Sequence, residues 1–221
     1  MYKIGLVRVL SNFDKNFMNS HGRIIEKNFP NIEVESMAIK DQSEGIHDEE
    51  TEIIAIPKII ELVKENYTDK DAVIISCAGD PALQELRKEV KVPVIGAGES
   101  ASLVSKIYGK KVGVVGITKK VPKSYKMIIG DDIVGKPYIE GIENTLDLMK
   151  DFGRERALKH CHNLKSLGAE VLVFACTGLS TIKIAPYIEK EIGLKVVDCV
   201  YAEGLMAYGA CIRRNFYEKI K

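Results

Sequence analysis

Two stretches of the chain share one pattern, an acidic residue, a short apolar run and a cysteine: Asp71-Ala-Val-Ile-Ile-Ser-Cys77 and Glu170-Val-Leu-Val-Phe-Ala-Cys176. Short runs without polar alternation read as strands buried on both faces, each delivering a thiol at its carboxyl end. The pattern around them also repeats. Ile4-Gly-Leu-Val-Arg-Val-Leu10 and Val112-Gly-Val-Val-Gly-Ile-Thr118 each open one half of the chain. Val92-Pro-Val-Ile95 and Lys195-Val-Val-Asp198 each follow the helix-like stretch after a cysteine. The halves therefore read as two copies of one α/β unit with unequal loops.

Between the strands, apolar positions recur at helical spacing. Ser11, Asn12 and Asp14 offer caps ahead of Phe17, Ile24 and Ile25, and Phe29-Pro30-Asn31 ends that helix. A half-buried strand is predicted over 32–39. The polar stretch from Lys40 to Glu50 follows, and it reads either as a loop over a ligand crevice or as a solvated linker. A helix over 51–66 would bury Ile53, Ile56, Ile60 and Val63, with Pro57 as its kink or its true start. Asp80 and Pro81 read as the cap and first residue of the next helix, and Gly96-Ala-Gly-Glu-Ser100 turns into another that ends near Gly109. In the second half, helices are predicted over 122–129, 144–167, 181–192 and 202–219. The long one carries Leu146, Met149, Phe152, Ala157, Cys161, Leu164 and Leu167 near one face. Residues 133–139 are extended but broken by Gly135 and Pro137.

Strands alternating with helices mean parallel sheets with helices on their faces. The expected fold class is α/β, with two pseudo-symmetric Rossmann-like or flavodoxin-like lobes and a cleft between them. Residues 1–99 with 200–221 would form the first lobe, carrying Cys77, and residues 100–199 the second, carrying Cys176. The last helix would cross back onto the first lobe. If the carboxyl ends of the strands face each other, the crevice between them is where open α/β sheets bind ligands, and one thiol reaches it from each wall.

Composition narrows the partners. Charged residues are 29% of the chain and sum to a formal +1, with 46% hydrophobic residues, as in ordinary soluble domains. Lysine and arginine are scattered among acidic residues, so nothing points to nucleic acid. No apolar run has the length of a membrane span. The start, Met1-Tyr-Lys-Ile-Gly, enters a strand without the pattern of a signal peptide, so a cytoplasmic location and no membrane partner are expected. Five cysteines, an odd number in that setting, should be thiols rather than a disulfide framework.

The turns Cys77-Ala-Gly-Asp80 and Cys176-Thr-Gly-Leu-Ser180 are built from small residues, so backbone N–H groups near the following helix can stabilise a thiolate that acts as a base. Cys161, on the apolar side of a helix, and Cys199 and Cys211 read as packing residues. His160-Cys161-His162 has the wrong helical spacing for a metal, and none is expected. Gly96-Ala-Gly98 lacks the third glycine and the acidic partner of a dinucleotide loop. Two thiols on opposite faces of a carbon acid can remove a proton from one side and return one to the other. That chemistry inverts a centre and requires no cofactor.

The segments Ile-Ile-Ser-Cys77-Ala-Gly-Asp-Pro81, Val-Pro-Val-Ile-Gly96-Ala-Gly-Glu99 and Phe-Ala-Cys176-Thr-Gly-Leu-Ser-Thr181 closely resemble the aspartate/glutamate/hydantoin racemase superfamily, within it the hydantoin racemase branch. His21-Gly-Arg-Ile-Ile resembles its archaeal-type members. The resemblance covers essentially the whole chain. It implies a two-lobed α/β isomerase acting on a small molecule without a cofactor, with Cys77 and Cys176 as the acid/base pair, and a homo-oligomer. It also implies that Ala78, Gly79, Thr177 and Gly178 hold the developing oxyanion and that Thr118 contacts substrate. Arg8 stands where many members have asparagine. Glutamate racemases follow their cysteines with Asn-Thr and Thr-His, whereas Ala-Gly and Thr-Gly stand here. A 5-substituted hydantoin or related amino-acid derivative fits that departure better than aspartate or glutamate, although Arg8 keeps an acidic substrate open. A non-catalytic binding protein is the reading from a different class.

Overall fold

The computed structural model describes residues 1–11 and 14–218. Its apolar runs form two sheets. β1 (Tyr2–Arg8), β2 (Ile32–Ala38), β3 (Ala72–Ser76) and β4 (Val94–Gly96) make one, in the order β2-β1-β3-β4. β5 (Val112–Val115), β6 (Ile133–Val134), β7 (Val171–Phe174) and β8 (Lys195–Val197) make the other, in the order β6-β5-β7-β8. Every pairing is parallel. The same order in both sheets realises the expected repeat. In each, the chain reverses its direction of winding between the first and third strands, so the crevice lies beside the ends of β1 and β3, and of β5 and β7.

The helices are α1 (Lys15–Met18), α2 (Ser20–Asn28), α3 (Glu49–Asn66), α4 (Leu83–Glu89), α5 (Ala97–Ser105), α6 (Lys123–Ile129), α7 (Asp151–Ser166), α8 (Thr177–Thr181), α9 (Ala185–Ile192) and α10 (Cys199–Glu218). Side-chain alternation along the first sheet sends Val7, Val73 and Ile75 toward α3 and α4, where they pack with Ile59, Val63 and Leu86. Ile4, Leu6 and Ile74 face the other way, onto Ile25 of α2 and Val200, Ala207 and Cys211 of α10. The last helix thus returns to the first sheet. β3 and β7 are buried along their whole length.

Several elements depart from the sequence expectation, each for a local reason. Asp14 caps α1 by accepting from the N–H groups of Asn16 and Phe17, but that helix breaks at Asn19 and restarts as α2. Asn12 as a cap, and the predicted end of the last helix at Lys219, lie outside the described residues. In α3 a reciprocal capping box between Asp48 and Thr51 sets the start at Glu49, so Pro57 falls inside the helix rather than beginning it. The helix buries Ala55, Ile59 and Val63, while Ile53, whose carbonyl loses its donor to Pro57, is 68% exposed. The predicted helix from Asn144 is a 3₁₀ turn (Thr145–Met149), capped by Asn144, followed by α7; Leu167 lies beyond it and is exposed. Of the helix predicted over 181–192 only α9 forms; Thr181 instead ends α8, which begins right after Cys176, and Lys183 separates the two at a positive φ of 53°.

Asp80 is the most consequential departure. It does not cap α4, whose start at Ala82 has no side-chain cap. Its carboxylate instead accepts from Gly98 N–H (2.8 Å) and Glu99 N–H (2.7 Å) at the start of α5, and from the Ser124 hydroxyl on α6. This explains Gly98: a Cβ there would lie 2.2 Å from the Ala78 carbonyl oxygen.

Candidate active site

Arg8 closes β1, Cys77 follows β3, Thr118 lies shortly after β5 and Cys176 lies two residues after β7. Because the two sheets present these strand ends to one another, all four residues line a single cavity of about 660 Å³. Ala78 and Gly79 line it beside the first thiol, and Thr177 and Gly178 beside the second. The lobes meet next to the sulfurs, where the Thr177 hydroxyl donates to the Ser76 carbonyl at 3.5 Å.

Both sulfurs are free thiols, in residues only 8% and 7% exposed. Gly79 N–H donates to Cys77. Cys176 receives more help, from the N–H groups of Gly178 and Leu179 and from the Thr145 hydroxyl. Backbone donors therefore do surround the sulfurs, as the small residues suggested, but burial outweighs them. It pushes both thiols above the ordinary cysteine range, and neighbouring Cys176, Asp80 and Glu52 push Cys77 further. The expectation of a standing thiolate is corrected accordingly: the unliganded cavity favours the neutral thiol, and Cys176 is the easier of the two to ionise.

Arg8 is buried in the wall, and its Nη1 donates to the carbonyls of Phe17 (3.3 Å) and Met18 (3.4 Å) and to the Ser20 hydroxyl (3.1 Å). Burial lowers its pKa to about 10, opposed by the nearby Glu203 carboxyl. One guanidinium nitrogen, Nη1, thus ties Arg8 to the end of α1 and the start of α2. The Thr118 hydroxyl donates to the Lys120 carbonyl at 2.8 Å, fixing the rim of the second lobe. There Lys119, Lys120 and Lys123 face Asp48, Glu49, Glu50 and Glu52 across the mouth, with Lys120 3.6 Å from Glu49. The 40–50 segment is not a solvated linker. Gln42 is buried, its amide donates to the carbonyls of Gly45 and Thr51, and residues 45–50 form part of the cavity wall.

Two features were missed in the sequence. Thr145, which donates to Cys176, sits in a stretch read as the first turn of an amphipathic helix. A buried set of contacts links Glu203, Ser76 and His21. Its one visible signal was a carboxylate inside the apolar run from Val200 to Met206. Cys161, Cys199 and Cys211 are buried away from the cavity lining. Gly96 and Gly98 make room for Asp80. Among the described residues, no three His, Cys, Asp or Glu side chains gather as a metal site requires, and no helix is long and apolar enough to cross a membrane.

Comparison with known proteins gives a consistent picture. The model of the Asp/Glu/hydantoin racemase family matches residues 17–203. The chain is 26% identical over 159 residues to a hydantoin racemase of Pseudomonas sp. (strain NS671), spanning 68% of this chain but only 63% of that protein. It is 25% identical over 189 residues to a hydantoin racemase of Paenarthrobacter aurescens, 76% of each. Among solved structures, an allantoin racemase from Klebsiella pneumoniae superposes with a TM-score of 0.80 at 19% identity, over 95% of this chain and 87% of that one. At that identity the superposition speaks for the fold.

Proposed function

The chain belongs to the Asp/Glu/hydantoin racemase family, and from that premise we propose that it inverts the chiral carbon of a neutral cyclic carbon acid, a 5-substituted hydantoin or close relative. Cys77 and Cys176 are its two bases. The observation that carries this reading is that equivalent strand ends of two like sheets bring both thiols to one cavity. One sulfur, as thiolate, takes the proton from the carbon while the opposite thiol returns its own, and the charge that appears meanwhile rests on the neighbouring carbonyl oxygen. Backbone N–H groups at Ala78 and Thr177, directly after the two sulfurs, are the donors for that oxygen.

The asymmetry between the sulfurs sets which one ionises first. When one sulfur gives up its proton it is Cys176, with more donors around it, while Cys77, with acidic neighbours, keeps its own. A neutral substrate is favoured over aspartate or glutamate because the rim lysines are opposed by four carboxylates and Arg8, buried in the wall, has its Nη1 turned to α1 and α2.

Proton NMR in heavy water, with reduced protein and a panel of L- and D-5-substituted hydantoins, allantoin, aspartate and glutamate, tests the reading. Loss of the signal at the chiral carbon of a hydantoin is expected. Exchange confined to aspartate or glutamate would replace the substrate class. No exchange by folded protein with reactive thiols would overturn racemisation and leave a ligand-binding role.

A further inference from the structure

Behind the cavity runs a chain of polar contacts that the reaction above does not use. Glu203 and His21 are both fully buried. The Ser76 hydroxyl donates to Glu203 Oε1 at 2.6 Å, Ser76 Oγ lies 2.8 Å from His21 Nδ1, and His21 Nε2 lies 2.9 Å from Thr181 Oγ1. Glu203 Oε2 has no hydrogen-bond partner. Ser76 immediately precedes Cys77, and Thr181 lines the cavity from α8, the helix that follows Cys176. The contacts therefore cross from the first lobe to the second beside both thiols. As a mere tie between lobes this would be a poor solution, since a buried carboxyl with an orphaned oxygen costs more than apolar packing of the same volume.

Resting on the two-thiol reading, we propose that Glu203, Ser76, His21 and Thr181 form a proton relay that exchanges the protons of Cys77 and Cys176 between turnovers. Each inversion leaves the charge on the sulfur that began as a thiol. Before a second molecule of the same enantiomer can react, one sulfur must gain a proton and the other must lose one. In the loaded relay Glu203 is protonated and the Glu203–Ser76 bond is reversed, so that Glu203 donates to Ser76 Oγ, Ser76 turns its own proton to His21 Nδ1, and His21 Nε2–H donates to Thr181 Oγ1. One concerted shift moves each proton one place along. The Glu203 proton passes to Ser76, that of Ser76 to Nδ1 and that of Nε2 to Thr181, whose hydroxyl donates to the Thr177 carbonyl at 3.2 Å and must turn from it to release its own proton into the cavity, toward the thiolate. Glu203 is left ionised. The reverse shift takes the proton of the other thiol and reprotonates Glu203, so the exchange closes without an outside reactant.

The surroundings favour the loaded form. Burial holds Glu203 well above the ordinary carboxyl range, reinforced by Asp198 and Asp80, and holds His21 well below the usual imidazole range. Arg8 acts on Glu203 in the opposite sense and stabilises its transient charge.

The test compares steady-state kinetics of Glu203→Gln and His21→Gln with the wild type, in both directions, on the substrate found by NMR. Each variant keeps a polar side chain but cannot pass the proton. The relay predicts that kcat falls roughly tenfold or more while kcat/KM stays within about twofold, because a slow return of the free enzyme limits turnover only at saturation. Parallel loss of kcat and kcat/KM, no change in either, or loss of fold in both variants would make the contacts structural and overturn the relay alone. Absence of proton exchange in the wild type would instead remove the racemase reading and the relay with it.

Discussion

Asp80 offers a quantitative test of how the two lobes are held in register. Its carboxylate is clamped by two N–H groups of α5 and the Ser124 hydroxyl, yet enclosure dominates and its pKa is raised to about 6 from 3.8. A carboxyl raised on folding stabilises the protein fully below its unfolded pKa, near 4. That contribution is lost as the pH climbs through about 6. Each step of one in pKa is worth ~1.4 kcal/mol, which gives up to about 3 kcal/mol. Since the residue keeps part of its surface exposed, about 2 kcal/mol is a fairer figure. Asp80→Asn removes this titration. Its amide oxygen can still accept from Gly98 and its amide nitrogen can donate to Ser124, so only the bond from Glu99 is lost, costing ~1 kcal/mol. Urea denaturation followed by circular dichroism at a series of pH values should therefore show wild type falling more steeply than the variant between pH about 4 and about 6, by about 2 kcal/mol in all. Parallel pH profiles would refute the reasoning, because the enclosed carboxyl would then not be titrating in that window.

Three further outcomes follow from the same geometry. Cys77→Ser and Cys176→Ser should each lower inversion roughly 10³-fold while one enantiomer still exchanges its proton in heavy water, a different one for each variant; retained inversion in either would exclude the two-thiol scheme. Because burial raises both thiols, kcat/KM should rise with pH from about 7 to about 9, and alkylation of Cys77 and Cys176 followed by mass spectrometry should accelerate over the same range. Gly98→Ala should cost about 3 kcal/mol in chemical denaturation, because its Cβ would meet the Ala78 backbone oxygen rather than a side chain able to move.

What could be read from the sequence was whatever depends on neighbours along the chain. The strands around Cys77 and Cys176, the family likeness and the return of the last helix all rest on contiguous patterns of apolar and small residues. Helix phase was less legible where two signals competed. In α3 the isoleucines suggested one face, but the buried stripe runs through Ala55, Ile59 and Val63 and leaves Ile53 on the solvent side. Asp80 was misassigned for a related reason. An Asp-Pro pair has the form of a helix start, and nothing local shows that α5, beginning seventeen residues later, takes the carboxylate instead.

The thiol environment shows why motif and chemistry part company. The Cys-Ala-Gly and Cys-Thr-Gly turns do supply N–H donors, and a reading of the turns alone ends with a thiolate. Closing the second lobe over the first removes the water that would have shared in stabilising that charge, a term present in neither turn. Desolvation then wins over the donors and makes the charge available only at a cost, unequal for the two sulfurs. The same closure gathers His21, Ser76, Glu203 and Thr181 from α2, β3, α10 and α8, four stretches no local pattern connects. A cavity that resists charge and favours one sulfur over the other has a use for a nearby buried proton donor, and that is the part the proposed relay assigns to Glu203.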